Sequence, residues 1–127
     1  MAIIRSFRDL NVYRATRQEA QKIFARSRNF PLEERYSLTD QIRRSSRAVK
    51  AMIAEAWGRR RYRAVFINKI DEALGETTET QSWLDDCSDC GYISLAEFKQ
   101  MDAVWQSIGA SLNKMIKRAD DFCQGVA

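Results

Sequence analysis

The sequence predicts an all-α protein, an antiparallel up-down four-helix bundle that forms a single domain over residues 1–127. Apolar side chains recur every three or four residues in four successive segments, the spacing that places them on one face of a helix. The chain has one proline and five glycines, so long helices can run without interruption. A half-buried strand would show alternating apolar and polar side chains, and no segment of useful length has this pattern. Together these observations indicate a helical bundle.

The first helix is predicted to begin near Asp9, whose carboxylate suits an N-cap, and to run to about Ser27. Pro31 then stops the helix, because proline disfavours helical geometry in the residue before it. The stripe predicted to face the core consists of Val12, Tyr13, Thr16, Ala20, Ile23 and Phe24.

The second helix is predicted to begin after Ser37, a favourable N-cap, and to end at Gly58 in a left-handed cap. Three arginines at residues 59–61 form the link to the third helix, and so short a link makes the two helices antiparallel neighbours. The predicted core stripe is Leu38, Ile42, Ser45, Val49, Met52, Ile53 and Ala56.

The third helix is predicted over about residues 62–90, closed by Gly91, with its seam at Phe66, Ile70, Leu74, Thr77, Gln81, Leu84 and Ser88. Ser94 and Glu97 have the spacing of a capping box and open the fourth helix. Its stripe is Phe98, Met101, Trp105, Ile108, Leu112, Met115, Ile116 and Ala119. The chain from Asp120 onward is predicted to be frayed.

Charge is distributed unevenly along the chain. Residues 1–63 carry 16 Lys and Arg against 6 Asp and Glu, whereas residues 64–127 carry 5 against 11. This asymmetry indicates either an anionic partner for the first half or charge-complementary packing between the halves.

A basic cluster in and after the second helix is the strongest functional signal. A phosphate backbone would relieve the repulsion among its members, and arginine can donate two parallel hydrogen bonds to a phosphate. The alternative is a solvated face that pairs with the acidic third helix. The candidate nucleic-acid-binding residues are Arg43, Arg47, Lys50, Arg59, Arg60, Arg61 and Arg63.

Aromatic and acidic residues accompany this cluster. Trp57, Tyr62 and Tyr36 lie close to it in the chain and could stack on unpaired bases. The only acid within residues 43–63 is Glu55, for which we expect a structural ion pair with Arg44 or Arg59.

Three carboxylates of the third helix, Glu72, Glu76 and Glu79, share one face. Carboxylates so spaced can hold Mg²⁺, but a hydrolase site of that kind draws acids from two helices, and no second helix supplies them. We therefore expect Glu76 and Glu79 to form structural ion pairs with Arg44 or Arg47, and we predict no metal site.

Most routes to an enzyme are closed, because the chain has no histidine for Ser-His-Asp or Cys-His catalysis. Cys87 and Cys90 form a Cys-x-x-Cys pair, but zinc needs four ligands and only Cys123 remains. We predict no enzymatic activity and no cofactor. No apolar run approaches the ~20 residues of a membrane span and no signal peptide is recognisable, so we expect a cytoplasmic location and no membrane partner.

Several motifs, in order, resemble a known family. They are residues 7–13 (FRDLNVY), 30–38 (FPLEERYSL), 41–45 (QIRRS), 53–59 (IAEAWGR), 73–80 (ALGETTET) and 91–93 (GYI). In this order they resemble the four-helix-bundle proteins encoded in intervening sequences of bacterial 23S ribosomal RNA genes, and are similar to accessory subunits of diversity-generating retroelements. The resemblance implies homopentameric rings, binding of RNA or DNA, and no enzymatic activity.

The sequence and the resemblance together predict a non-enzymatic, homopentameric bundle whose basic surface binds nucleic acid, with RNA favoured over DNA. The alternative is a protein-binding adaptor, in which the basic half docks an acidic protein partner or a neighbouring subunit.

Overall fold

The computed structural model describes residues 3–123, and this part of the chain contains five α-helices and no strand. The helices are α1 (Asn11–Ser27), α2 (Leu38–Gly58), α3 (Arg63–Asp89), α4 (Leu95–Lys117) and the short α5 (Ala119–Cys123). The four long helices form a bundle in which α2 packs on α3, α3 on α4, and α1 on both α2 and α4. The predicted all-α bundle is confirmed. No helix within residues 3–123 combines the length and apolarity needed to cross a bilayer.

Contacts between neighbouring helices show that they are antiparallel. Ser45 near the start of α2 meets Thr80 late in α3, whereas Glu55 near the end of α2 meets Lys69 early in α3. The same reversal relates α3 to α4 and α1 to α2. The connections at residues 59–62 and 90–94 are too short to run back along the length of a helix. The next helix must therefore start where the previous one ends and run antiparallel to it.

The seam between α2 and α3 is the most extensive contact of the bundle. Its fully buried apolar side chains are Val49, Ile53 and Ala56 of α2 and Phe66, Ile70 and Ala73 of α3. Towards the other end of the seam the Thr80 hydroxyl donates to the Ser45 hydroxyl over 2.8 Å, so these buried polar groups satisfy each other.

The face of α3 that enters the core agrees only in part with the prediction. Phe66, Ile70, Thr77 and Leu84 of the predicted seam are buried. At the other three seam positions the preceding residue is buried instead: Ala73, Thr80 and Cys87 are buried, while Leu74, Gln81 and Ser88 are only half-buried. The buried face is therefore displaced towards α2, the helix with which α3 has its most extensive contact.

The N-cap predicted at Asp9 is wrong. Asp9 ends a 3₁₀ turn, Phe7–Asp9, which is capped by Ser6, and α1 begins two residues later at Asn11. The backbone N–H groups of Arg5 (2.8 Å) and Ser6 (3.1 Å) donate to Asp9 Oδ2, and they hold the pKa of that carboxyl below its ordinary value. Asp9 therefore serves the turn before the helix.

The ends of α2 agree with the prediction in position but not in chemistry. Ser37 precedes the helix, but its hydroxyl donates to Glu34 over 2.6 Å and accepts no backbone N–H of the helix. Gly58 is the last helical residue and has no left-handed conformation. The Arg59 N–H bonds the carbonyls of Glu55 and Ala56, which closes the helix without a left-handed residue.

The connection from α3 to α4 agrees with the prediction. Gly91 has a φ of +74°, and the N–H of Tyr92 bonds the Cys87 carbonyl over 2.9 Å, as in a left-handed helix cap. The Ser94–Glu97 capping box is present, with the Glu97 N–H donating to Ser94 Oγ over 3.1 Å.

Tyr92 joins the α3–α4 connection to the α1–α2 connection and to the end of α1. Its hydroxyl donates to Glu34 Oε2 over 2.9 Å, and its ring lies 5.3 Å from the ring of Phe30. Its carbonyl accepts from Arg26 Nη2 over 2.8 Å. The hydrogen bond to Glu34, with burial as a second cause, raises the pKa of Tyr92 to about 12.

The chain from Asp120 is helical as far as Cys123, contrary to the predicted fraying; the rest of the tail lies outside the described residues. The Phe122 ring stacks on Phe66 with centroids 5.7 Å apart, and Arg63 Nε donates to Asp120 Oδ1 over 2.5 Å. These two contacts hold α5 against the start of α3.

Replacement of Gly91 by alanine is expected to lower the free energy of unfolding by about 1–2 kcal/mol, because an L side chain is disfavoured at positive φ. A Cβ there meets no atom within 4 Å, so the cost is conformational rather than steric. Gly75→Ala is the matched control: it also adds a Cβ into open space, but within α3, and should raise stability by up to about 1 kcal/mol. Urea unfolding followed by circular dichroism measures both. Equal effects would contradict the left-handed cap.

Candidate nucleic-acid interface

A cationic groove of about 750 Å³ lies between α1 and α2, and we call it the α1–α2 groove. Its charged lining residues are Arg14, Arg17, Lys22, Arg47 and Lys50. The remaining lining residues are glutamines and alanines, so none of the acids within the described part of the chain lines the groove. A concave surface of one charge sign concentrates the field that attracts a polyanion.

The groove follows from the way α1 packs. The core stripe of α1 includes Thr16, Ala20 and Ile23, and the exposed face beside it carries Arg14 and Arg17. Small side chains such as Ala20 line the groove, which leaves a depression between the two helices. The antiparallel α2 borders the groove with Arg47 and Lys50, so cations from two helices face one space.

Phe24 organises the end of the groove where the two helices are connected. The guanidinium of Arg43 lies 4.7 Å from its ring centroid, that of Arg47 5.1 Å and that of Arg28 5.9 Å. Arg43 is half-buried, and its Nε also donates to Ser27 Oγ over 2.8 Å. Arg43 is thus engaged between the helices, whereas Arg47 stays exposed beside the groove.

The groove cations differ in their acidic partners. Arg14 lies 3.7 Å from Asp9 in an ion pair. Within residues 3–123, by contrast, neither Arg17, Arg47 nor Lys50 has a carboxylate within 4.0 Å. A ligand therefore displaces no carboxylate of residues 3–123 when it contacts these three cations.

The one acid of α1, Glu19, does not neutralise the groove. It is 3% exposed and lines a separate cleft beside α4 together with Arg26 and Glu97. Lys22 reaches Glu19 from the edge of the groove, with Nζ 3.0 Å from Oε2. The negative charge of Glu19 therefore lies on the far side of α1 from Arg47.

The remaining predicted cations lie at the connection between α2 and α3, residues 59–62, which we call the α2–α3 turn, and at Arg63, the first residue of α3. Arg59 lies 3.9 Å from Glu55 in an ion pair. Arg60 packs over Trp57, with its guanidinium 3.9 Å from the ring centroid and Nη1 donating to the Trp57 carbonyl over 2.8 Å. Arg61 is exposed and lies 5.0 Å from the ring centroid of Tyr62.

The structure therefore divides the predicted cluster into two parts. Arg47 and Lys50 border the groove, whereas Arg60 and Arg61 lie at the turn, and Arg63 is paired with Asp120. Because α1 and α2 are antiparallel, the start of α1 lies level with the end of α2. The groove thus leads towards the turn.

The family model for the 23S rRNA-intervening sequence protein matches residues 8–114. The chain belongs to this family. It is also similar to the crystal structure of a protein of unknown function from the S23 ribosomal protein family of Bacteroides thetaiotaomicron, with a TM-score of 0.75 and 29% identity over 84% of this chain and 95% of that chain. No curated protein matches the chain. Neither description names an enzymatic activity.

In this intervening-sequence protein Arg44 faces away from the groove and pairs with α3. Its guanidinium lies 3.3 Å from Glu76 and also contacts Glu79. The hydrogen bond to Glu76 raises the pKa of Arg44 above its ordinary value. Arg47, the other partner considered for these carboxylates, points to α1 instead.

Glu55 is exposed and has two cationic partners. Besides Arg59, it contacts Lys69 of α3 at 3.4 Å, a partner that the sequence did not suggest. Lys69 also contacts Glu72 at 3.3 Å, and this hydrogen bond is the main cause that raises the pKa of Lys69. The acidic face of α3 is thus used in ion pairs with cations of α2 and α3.

No group of three or more Cys, Asp or Glu side chains within residues 3–123 is arranged to hold a metal ion. Cys87 is buried while Cys90 is exposed, so the two thiols of the Cys-x-x-Cys pair have different surroundings. Burial is the main cause that raises the pKa of Cys87 to about 12. Cys87 is therefore a packed core residue and Cys90 a surface residue.

The sequence interpretation missed the α1 half of the groove. Arg14 and Arg17 are three residues apart on the exposed side of α1, and from this spacing the sequence alone indicates that they are neighbours on the helix surface. Each is far from residues 43–63 in the chain, however, so only the packing of α1 on α2 brings them together with Arg47 and Lys50.

At pH 8 the thiol of Cys87 should resist a thiol-specific reagent such as Ellman's reagent, because a pKa of about 12 leaves a thiolate fraction on the order of 10⁻⁴. Cys90 should react quickly in the folded protein, and Cys90→Ser should remove the fastest phase. Absorbance at 412 nm follows the reaction, and denaturant provides the control in which every thiol reacts. A fast phase that persists in Cys90→Ser and disappears in Cys87→Ser would contradict the placement of Cys87.

Proposed function

We propose that this intervening-sequence protein binds nucleic acid, with RNA favoured, through the α1–α2 groove, and that it has no enzymatic activity of its own. The observation that carries the proposal is the groove itself, which has five cations from two helices and no acid in its lining. The description of its family, which refers to 23S rRNA, supports RNA as the ligand. A partner of RNA would act in the cytoplasm.

The electrostatics of the groove suit a phosphate backbone. Binding of phosphates by Arg17, Arg47 and Lys50 breaks no ion pair, because none of them has an acid within 4.0 Å among the described residues. Each neutralised phosphate releases condensed counterions, which supplies the free energy of such binding. The contact of Arg47 with Phe24 restricts its guanidinium in advance, so less side-chain entropy is lost on binding.

The predicted cations that already form ion pairs with carboxylates can still bind phosphates. Arg59 and Arg63 pair with Glu55 and Asp120 in exposed positions, and exposed ion pairs contribute only about 0–1 kcal/mol. A phosphate can replace such a carboxylate at little cost. Arg43 is different, because it is half-buried and bonded to Ser27, and its substitution would disturb the α1–α2 contact.

We propose further that the protein assembles as a homopentamer, as its family resemblance implies. Leu32 and Leu95 are exposed, and they lie two and three residues from Glu34 and Tyr92, whose hydrogen bond joins the two connections at one end of the bundle. This end therefore exposes apolar side chains suited to contact between subunits. Native mass spectrometry should give a mass five times that of the 14.7 kDa chain. A mass equal to one chain at micromolar concentration would contradict the assembly.

Reversal of the three unpaired groove cations, in the variant Arg17→Glu, Arg47→Glu, Lys50→Glu, should weaken binding of a labelled structured RNA on the order of 100-fold. The slope of log K against log salt should also fall by roughly 2–3, since each phosphate contact contributes about 0.7–0.9. Fluorescence anisotropy over a salt series measures both quantities.

The matched control reverses three exposed lysines of α4, Lys99, Lys114 and Lys117, and changes the net charge by the same amount. It should keep most of the affinity, because these residues lie outside the groove. Equal losses in the two variants would show that net charge rather than the groove controls binding. No binding of RNA or DNA by the unmodified protein at low salt would contradict the proposal and favour the protein-binding adaptor.

A further inference from the structure

The α2–α3 turn and the adjoining end of α2 carry two guanidinium–aromatic pairs within residues 57–62, Arg60 with Trp57 and Arg61 with Tyr62. We propose that this turn is a stacking site for unpaired bases, so that the protein prefers RNA with a single-stranded segment beside a duplex held in the α1–α2 groove. The inference rests on the proposed function, because it assigns a second part of the same ligand to a second part of the same surface.

The two pairs present flat surfaces in fixed positions. Trp57 is half-buried, and Arg60 is held on it by a centroid distance of 3.9 Å and by the hydrogen bond to the Trp57 carbonyl. Tyr62 is 52% exposed, with the Arg61 guanidinium 5.0 Å from its ring centroid. Aromatic rings and guanidinium planes are the groups on which proteins stack bases.

Tyr62, the residue that precedes α3, does not stabilise the start of the helix. Tyr62 occupies the N-cap position and makes no side-chain hydrogen bond to the helix, whereas Ser, Thr, Asp or Asn there would satisfy a free N–H. Three consecutive arginines precede it, although their mutual repulsion opposes a tight turn. Such departures from local stability are expected where a segment serves a ligand.

Unpaired bases fit this site and paired bases do not. In an RNA duplex the base faces are covered by their neighbours, and the deep, narrow major groove does not admit side chains. A single-stranded segment leaves the faces free to stack, and stacking tolerates any base. The turn therefore adds affinity only for a strand that has left the duplex.

The distance between the α1–α2 groove and the α2–α3 turn can be spanned by one continuous RNA strand. Lys50 lies eight residues before the end of α2, which is about 12 Å at the helical rise of ~1.5 Å per residue. If the ~3.4 Å spacing of nucleotides along one strand of a DNA duplex is taken for the overhang, about four nucleotides span that length. A strand that leaves a duplex at the groove thus reaches the turn with a short overhang.

The test compares three RNAs by fluorescence anisotropy: a blunt duplex, the same duplex with an overhang of about five nucleotides, and that duplex with an overhang of abasic nucleotides. The abasic overhang has the same phosphates but no bases, so it separates stacking from charge. The unmodified protein should bind the intact overhang at least about fivefold more tightly than the abasic one.

Tyr62→Ala should weaken binding of the intact overhang by roughly 5- to 100-fold and leave the blunt duplex unchanged. The matched control is Tyr36→Ala, since Tyr36 is 83% exposed and also has a guanidinium, that of Arg35, 5.4 Å from its ring centroid. Tyr36 precedes α2 and lies at the opposite end of the bundle, so its loss should change neither affinity.

Equal binding of the intact and abasic overhangs, or equal effects of Tyr62→Ala and Tyr36→Ala, would overturn the stacking site while the groove remains the binding surface. A loss of blunt-duplex binding in Tyr62→Ala would also overturn it, because the turn would then act on the duplex or on the fold. No binding of any of the three RNAs would overturn the proposed function as well.

Discussion

The packing of α2 against α3 determines where every cation of α2 points. Val49, Ile53 and Ala56 are fully buried in this contact, and Ser45 is fixed opposite Thr80 by a buried hydrogen bond. Arg44 and Arg47 are three residues apart, which is about 60° around the helix, and this orientation sends Arg44 to α3 and Arg47 to α1. A rotation of α2 by about that angle would turn Arg47 towards the carboxylates of α3 and remove it from the groove.

The uneven charge of the chain has two structural uses. Part of the positive charge is neutralised by intramolecular ion pairs, in which Arg44 meets Glu76 and Glu79 and Lys69 meets Glu55. Another part, carried by Arg17, Arg47 and Lys50, faces the α1–α2 groove without an acidic partner within residues 3–123. Charge-complementary packing and a surface for an anionic ligand appeared as alternatives in the sequence, and the fold accommodates both because α2 borders α1 on one side and α3 on the other.

The sequence predicted the helices well because periodicity and caps are local properties. The left-handed Gly91, the Ser94–Glu97 box and the start of α2 after Ser37 depend only on neighbouring residues. Whether Leu74 or Ala73 is the buried residue depends instead on how closely α3 packs on each neighbouring helix. The spacing of apolar residues in the sequence does not give that information. For the same reason the sequence supplied the α2 side of the groove but not its α1 side, which becomes part of the surface only through tertiary packing.

The separation of charge between the two sides of α2 also affects how the molecule moves before any contact forms. Its net charge of +4 is modest, but the cations of the groove and the carboxylates of α3 lie on different sides of α2, so the charge is distributed unevenly over the surface. In the field of a polyanion such a body rotates as it diffuses and arrives with the groove leading. Orientation of this kind raises the association rate more than it slows dissociation, and it weakens as added salt shortens the ~10 Å range of the field.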